Sequence, residues 1–224
     1  MIERLRKNLD EVIWNIEQAR ITINEHHIVK LVAVGKYSDE AHIEALYQLG
    51  QRAFGENQVQ QLRTRMQNLD ELPLEWHMIG SLQSNKINKL IELRPTLFQS
   101  LDSLKLAEIL NQRLEQNGQK MSCLLQVNSA KEESKSGVMP EEAENIYAQI
   151  QESCPQLRLK GIMTIGANSS NTQEIQKSFE TSYKIYDALK NKGANICSMG
   201  MSNDYELAIQ CGSNLVRIGS KIFK

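Results

Sequence analysis

The sequence predicts an α/β fold: a single (β/α)8 TIM barrel over residues 1–224, with an additional N-terminal helix. Three observations predict it. Short apolar, β-branched segments alternate with helical patterns until eight strands have passed. No linker, low-complexity run or charge block interrupts that cadence. Nothing helical is read after the eighth strand, whereas an extra helix precedes the first. That helix could pack where the eighth would otherwise lie.

Residues 2–24 carry Ile2, Leu5, Leu9, Val12, Ile13, Ile16 and Ala19 at helical spacing. Ile28–Gly35 is short, β-branched and, Lys30 aside, apolar, as expected of a strand buried on both sides. It ends at Lys36. Ser38 and Asp39 cap a helix through Leu49, which Gly50 stops. Strand two, Gln51–Phe54, leads through Gly55, Glu56 and Asn57 into a helix over 58–69. Strand three, Leu74–Ile79, closes on Gly80, and a helix from Ser84 to Leu93 stops before Pro95. Thr96–Gln99 is strand four, followed by a helix over Leu104–Gln116.

Met121–Val127 is strand five, with a polar loop, Asn128–Gly137, behind it. Pro140 opens a helix through Glu152. Leu157–Ile165 is strand six, and a helix from Thr172 ends before Gly193. Ile196–Met199 is strand seven, Asp204–Cys211 a helix, and Leu215–Ile218 strand eight.

With 26 basic and 27 acidic residues the net charge is −1, which leaves no electrostatic footprint for nucleic acid. No apolar run approaches the length of a membrane span, and Met-Ile-Glu-Arg-Leu-Arg-Lys is no signal peptide. Cys123, Cys154, Cys197 and Cys211 are scattered and form no C-x-x-C pair, so a reduced, cytoplasmic protein is expected. The four histidines lack metal-ligand spacing.

On this architecture chemistry sits at the C-terminal strand ends. Strand one supplies Lys36, strand two Glu56 and Asn57, and strand three Gly80 after His77. Strands five and six bring Asn128, Thr164 and Gly166; strand seven brings Ser198–Ser202, and strand eight Arg217–Ser220. Lys36 directly ends an apolar strand, and a desolvated lysine there can form a Schiff base. The glycine-containing turn Ser198-Met-Gly-Met-Ser-Asn-Asp204 runs straight into a helix, a junction whose free N–H groups suit a phosphate. Arg217 shares a face with Leu215 and Gly219 in a strand covered on both sides, so it needs a partner within the protein; Glu56 is one candidate. His77 reads as a core residue. Lysine, phosphate cup and arginine in one mouth match the aldehyde, phosphate and ring nitrogen of pyridoxal phosphate (PLP).

The sequence resembles the pyridoxal-phosphate homeostasis protein family, relatives of the N-terminal barrel of alanine racemase. The resemblance is carried by Leu31-Val-Ala-Val-Gly-Lys36, Phe54-Gly-Glu-Asn57, Trp76-His-Met-Ile-Gly80 and Leu82-Gln-Ser-Asn-Lys86. It continues through Gln126-Val-Asn128, Lys135-Ser-Gly137, Gly161-Ile-Met-Thr164, Ser198-Met-Gly-Met-Ser202, Val216-Arg-Ile-Gly219 and Ile222-Phe223. It implies PLP on Lys36 as a Schiff base, phosphate on Ser202, Gly219 and Ser220, Arg217 at the pyridine nitrogen, and Asn57 at the cofactor. It also implies a monomeric carrier that buffers PLP or delivers it to apo-enzymes, without turnover of its own. An amino-acid racemase or decarboxylase, or a sugar-phosphate lyase using Lys36, are the rival readings. Two positions depart from the family's pattern. Gly35 replaces the usual serine or threonine, which would loosen the loop around Lys36, and Lys224 stands where Phe-Gly is usual.

Overall fold

The structure, a computed structural model, describes residues 1–36 and 38–224. Eight strands among them close into a parallel barrel in sequence order: β1 (Lys30–Val34), β2 (Ala53–Glu56), β3 (Glu75–Met78), β4 (Leu97–Leu101), β5 (Met121–Val127), β6 (Leu157–Thr164), β7 (Ile196–Ser198) and β8 (Leu215–Ile218). The barrel closes where Leu31 pairs with Val216 and Val32 with Arg217. The helices are α1 (Ile2–Ile21), α2 (Glu40–Gln48), α3 (Val59–Asn68), α4 (Ile87–Leu93), α5 (Leu104–Gln116), α6 (Ala143–Ser153), α7 (Thr172–Leu189), α8 (Tyr205–Gln210) and α9 (Ser220–Phe223). The barrel predicted from sequence is the barrel observed.

Local chemistry explains the helix starts. Asp39 accepts a hydrogen bond from the His42 amide (3.0 Å), Ser103 from Leu106 (3.3 Å) and Asn171 from Gln173 (2.9 Å). Each satisfies one of the donors that a helix start leaves open.

The main core lies between sheet and helices. A smaller cluster of Val32, Ala53, Leu97, Leu124, Met163 and Leu215 fills the barrel's interior, on the opposite side of the strands. Burying it costs nothing in unpaired polar groups, but it occupies only part of the lumen; polar side chains fill the rest.

Two expectations need correction. A turn of helix, α9, does follow strand eight, because Ile222 and Phe223 bury themselves beneath α1. And Ile13 does not share the buried stripe of α1: Leu5, Leu9, Val12, Ile16 and Ala19 face inward while Ile13 is 44% exposed. The position expected for α1 is the one found. It packs on α2, α8 and α9, and is tied there by Asn8 Nδ2 donating to the Ile222 carbonyl (3.0 Å) and Asn15 Nδ2 donating to the Tyr205 hydroxyl (3.1 Å). Among the described residues no helix is long and apolar enough to cross a membrane.

Candidate functional site

A cavity of about 640 Å3 opens at the C-terminal ends of the strands. Lys36, Asn57, Ser202, Arg217, Gly219 and Ser220 all line it. The six residues singled out from sequence therefore meet in one place, brought there by β1, β2, β7 and β8 and the turns that follow them.

Arg217 is the most constrained of them. It is 4% exposed, and two of its five N–H groups are committed inside the protein: Nη1 donates to Ser198 Oγ (2.5 Å) and Nη2 to the Thr164 carbonyl (2.8 Å). Burial lowers its pKa to about 10, against the pull of the Asp204 carboxylate, so it stays charged at neutral pH. Burial in turn raises Asp204, which the Met201 N–H (2.6 Å) and the Arg217 charge hold down.

Glu56 is not the partner of Arg217. Alternation along β2 puts Glu56 on the same face as Phe54, toward α2 and α3, whereas Arg217 points into the barrel. The nearest cation to Glu56 is Arg65, whose Nε lies 3.6 Å from Oε1 and whose Nη1 lies 3.1 Å from Glu40 Oε2. Neither Glu56 oxygen has a hydrogen-bond partner among the described residues. Burial pushes its carboxyl up to about 7, with the Arg65 charge opposing the rise and the Glu40 charge adding to it.

The turn after β7 is built around Gly200, whose φ of 99° suits a residue without a side chain. Its carbonyl accepts from the Arg217 amide (3.0 Å), which ties the turn to β8. Beneath it, the buried Ser213 hydroxyl meets the carbonyls of Cys197 (3.1 Å), Met199 (2.7 Å) and Leu215 (3.0 Å). On the cavity side, Ser202 Oγ accepts from the Gly219 amide (3.3 Å) and the Lys221 amide (3.5 Å). Two backbone donors thus converge where an anionic oxygen would be welcome.

Lys36 stands at the rim and is exposed, so the desolvation expected of a lysine ending an apolar strand is not found. Ser38 donates to the Gly35 carbonyl through both its amide and its hydroxyl (3.0 Å each), and Arg65 Nη2 donates to the Ser38 carbonyl.

Lys135, which the sequence reading quoted in a motif but did not place in the site, is a second amine lining the cavity. Lys135 Nζ donates to the Gly166 carbonyl (2.6 Å) and to Glu132 (2.9 Å), and Glu132 accepts from the Asn168 amide (2.8 Å). These bonds strap the loop after β5 to the loop after β6. The Lys135-Ser-Gly137 segment was the available signal. His77, read as a core residue, is buried, but only its Nδ1 is satisfied, by Gln99 at 2.8 Å. Burial holds its pKa down at about 4.

The family model described as the alanine racemase N-terminal domain matches residues 8–224. The pyridoxal phosphate homeostasis protein of Helicobacter pylori (strain ATCC 700392 / 26695) is 57% identical over 219 residues, 98% of each chain. This chain belongs to the pyridoxal phosphate homeostasis protein family. The resemblance read from its motifs is borne out. Among solved structures, an unknown protein from Bifidobacterium adolescentis superposes with a TM-score of 0.91 at 32% identity, covering 99% of this chain and 95% of that one. PipY of Synechococcus elongatus PCC7942, in a structure with PLP bound, gives a TM-score of 0.79 at 30% identity, covering 93% of this chain and all of the other.

Proposed function

We propose that this chain binds PLP in the 640 Å3 cavity and holds it for other proteins, acting as a carrier. Lys36 takes the aldehyde carbon, Ser202, Gly219 and Ser220 take the phosphate, Arg217 faces the ring nitrogen and Asn57 contacts the cofactor. The observation that carries this reading is Arg217: a buried, charged guanidinium, with N–H groups beyond the two used internally, lining the same cavity as a lysine and two converging backbone donors. The names of the curated relatives, and the PLP bound by PipY, support the choice of ligand.

PLP supplies an aldehyde and an electron-withdrawing ring; the chain's residues decide how far that ring is used. Arg217 can only donate a hydrogen bond, so it meets the ring nitrogen as an acceptor and gives it no proton. Such a ring withdraws electrons weakly, which suits storage better than carbanion chemistry. We further read the protein as a cytoplasmic monomer that hands PLP to apo-enzymes.

The test is hydrogen exchange at the α-carbon of free amino acids in heavy water, with PLP loading verified by absorbance. A carrier gives almost no deuterium incorporation. Rapid, stereochemically complete exchange overturns the carrier reading and favours a racemase.

A further inference from the structure

A chain of hydrogen bonds reaches Arg217 from the far wall of the barrel. Nη1 of Arg217 lies 2.5 Å from Ser198 Oγ, Ser198 Oγ lies 2.7 Å from Gln99 Oε1, and Gln99 Nε2 lies 2.8 Å from His77 Nδ1. All four residues are buried. Strands β4 and β7 are not neighbours in the sheet, so the bond between Gln99 and Ser198 crosses the lumen.

The direction of this chain is fixed at one end. A guanidinium donates and never accepts. Ser198 Oγ therefore accepts from Arg217, which leaves its own proton for Gln99. Gln99 must present its oxygen to Ser198 and turn its amide nitrogen to His77. His77 must then accept at Nδ1 and carry its proton on Nε2. That Nε2 has no hydrogen-bond partner among the described residues.

We infer that His77 and Gln99 are positioning residues for Arg217: the His77 tautomer and the Gln99 amide orientation hold the guanidinium at the cavity floor. A proton on His77 Nδ1 would face the Gln99 amide N–H groups. Turning the amide to relieve that clash would aim N–H groups at Ser198, whose proton would then have no acceptor in Arg217. Burial beside Lys30 also disfavours a charged His77, with Glu75 opposing. The chain is a property of the protein without ligand; its consequence for cofactor binding rests on the reading of the cavity proposed above.

The test uses 15N-labelled full-length protein without PLP, reading the His77 tautomer from two-bond 1H–15N couplings at pH 7. Wild type should show a neutral ring protonated on Nε2. Ser198→Ala removes the middle hydroxyl, two hydrogen bonds from His77, and should release the Gln99 amide so that the Nδ1-protonated form becomes populated. Ser198→Thr should restore the wild-type pattern. An unchanged tautomer in Ser198→Ala, or an Nδ1-protonated ring in wild type, overturns the inference. Should Ser198→Ala fail to fold, Gln99→Glu serves: its carboxylate accepts from both neighbours, so the His77 ring should carry a proton on Nδ1 at pH 7, and a ring protonated on Nε2 alone there is equally fatal. In parallel, the PLP dissociation constant of Ser198→Ala should rise about tenfold, the weight of one hydrogen bond to a charged group. A tautomer change with unaltered PLP affinity upholds the chain and counts against the cofactor reading instead.

Discussion

Gly35 lies so close to Glu56 that a β-carbon built on it would stand 2.6 Å from Glu56 Oε1. The residue before Lys36 is thus moulded to a buried carboxylate on the next strand. A methyl group there pushes the carboxylate without giving it anything, whereas a hydroxyl can donate to an oxygen that accepts no hydrogen bond from the described residues.

Gly35→Ala is therefore expected to destabilise the protein by about 1–2 kcal/mol, in the range of core overpacking. Gly35→Ser should be less harmful by about 1 kcal/mol, the worth of the new hydrogen bond. Urea unfolding of the three proteins measures the order directly. A serine variant as unstable as the alanine variant would count against the argument.

Glu56 and His77 pull the pH dependence of stability in opposite directions. The unfolded histidine takes a proton below its ordinary value of 6.5 and the folded one only near 4, so its contribution is complete above 6.5 and is lost as pH falls toward 4. The folded Glu56 keeps its proton up to about 7, well above the ordinary glutamate value of 4.5, so its contribution is complete below 4.5 and is lost as pH rises through 7. Between 4.5 and 6.5 the two slopes cancel. Glu56→Gln removes one of them, so wild-type stability minus variant stability should fall by about 3 kcal/mol from pH 4.5 to 7. Urea unfolding across that range checks it, and a constant difference would contradict it.

The barrel was legible because parallel strands covered on both faces leave continuous apolar runs, of which Leu31–Val34 and Cys123–Leu125 are clear examples. Arg217 was legible as a buried residue in need of a partner because both faces of β8 are covered. Its partners were not. Ser198 and the Thr164 carbonyl come from β7 and β6, and their approach to Arg217 depends on strand stagger and barrel closure, which no local pattern records. The pairing of Glu56 was misjudged for the same reason: its position near the mouth was readable, but the face it takes was set by β2 as a whole. The single turn of α9 is too short to carry a helical period. Nor does a lysine's place at a strand end reveal whether the loop around it closes over the side chain.

Ser202 tests the phosphate end of the cavity. Its hydroxyl gathers the Gly219 and Lys221 amides, and with PLP present it can turn to donate to a phosphate oxygen. Ser202→Ala should weaken retention of PLP by about 1–2 kcal/mol and leave retention of pyridoxal nearly unchanged. Equilibrium dialysis of both vitamers decides the matter, and equal losses for the two would remove the phosphate from this residue.

Two amines line the cavity, and only one is proposed to hold the cofactor. Lys36 follows β1 at the rim, and Lys135 Nζ donates to the Gly166 carbonyl and to Glu132. The decisive measurement is borohydride reduction of the protein loaded with PLP, followed by peptide mapping by mass spectrometry. The account predicts one reduced adduct, on Lys36, absent from Lys36→Ala, in which weaker phosphate-dependent binding remains. An adduct on Lys135 in the wild type, or an undiminished adduct in Lys36→Ala, would contradict it.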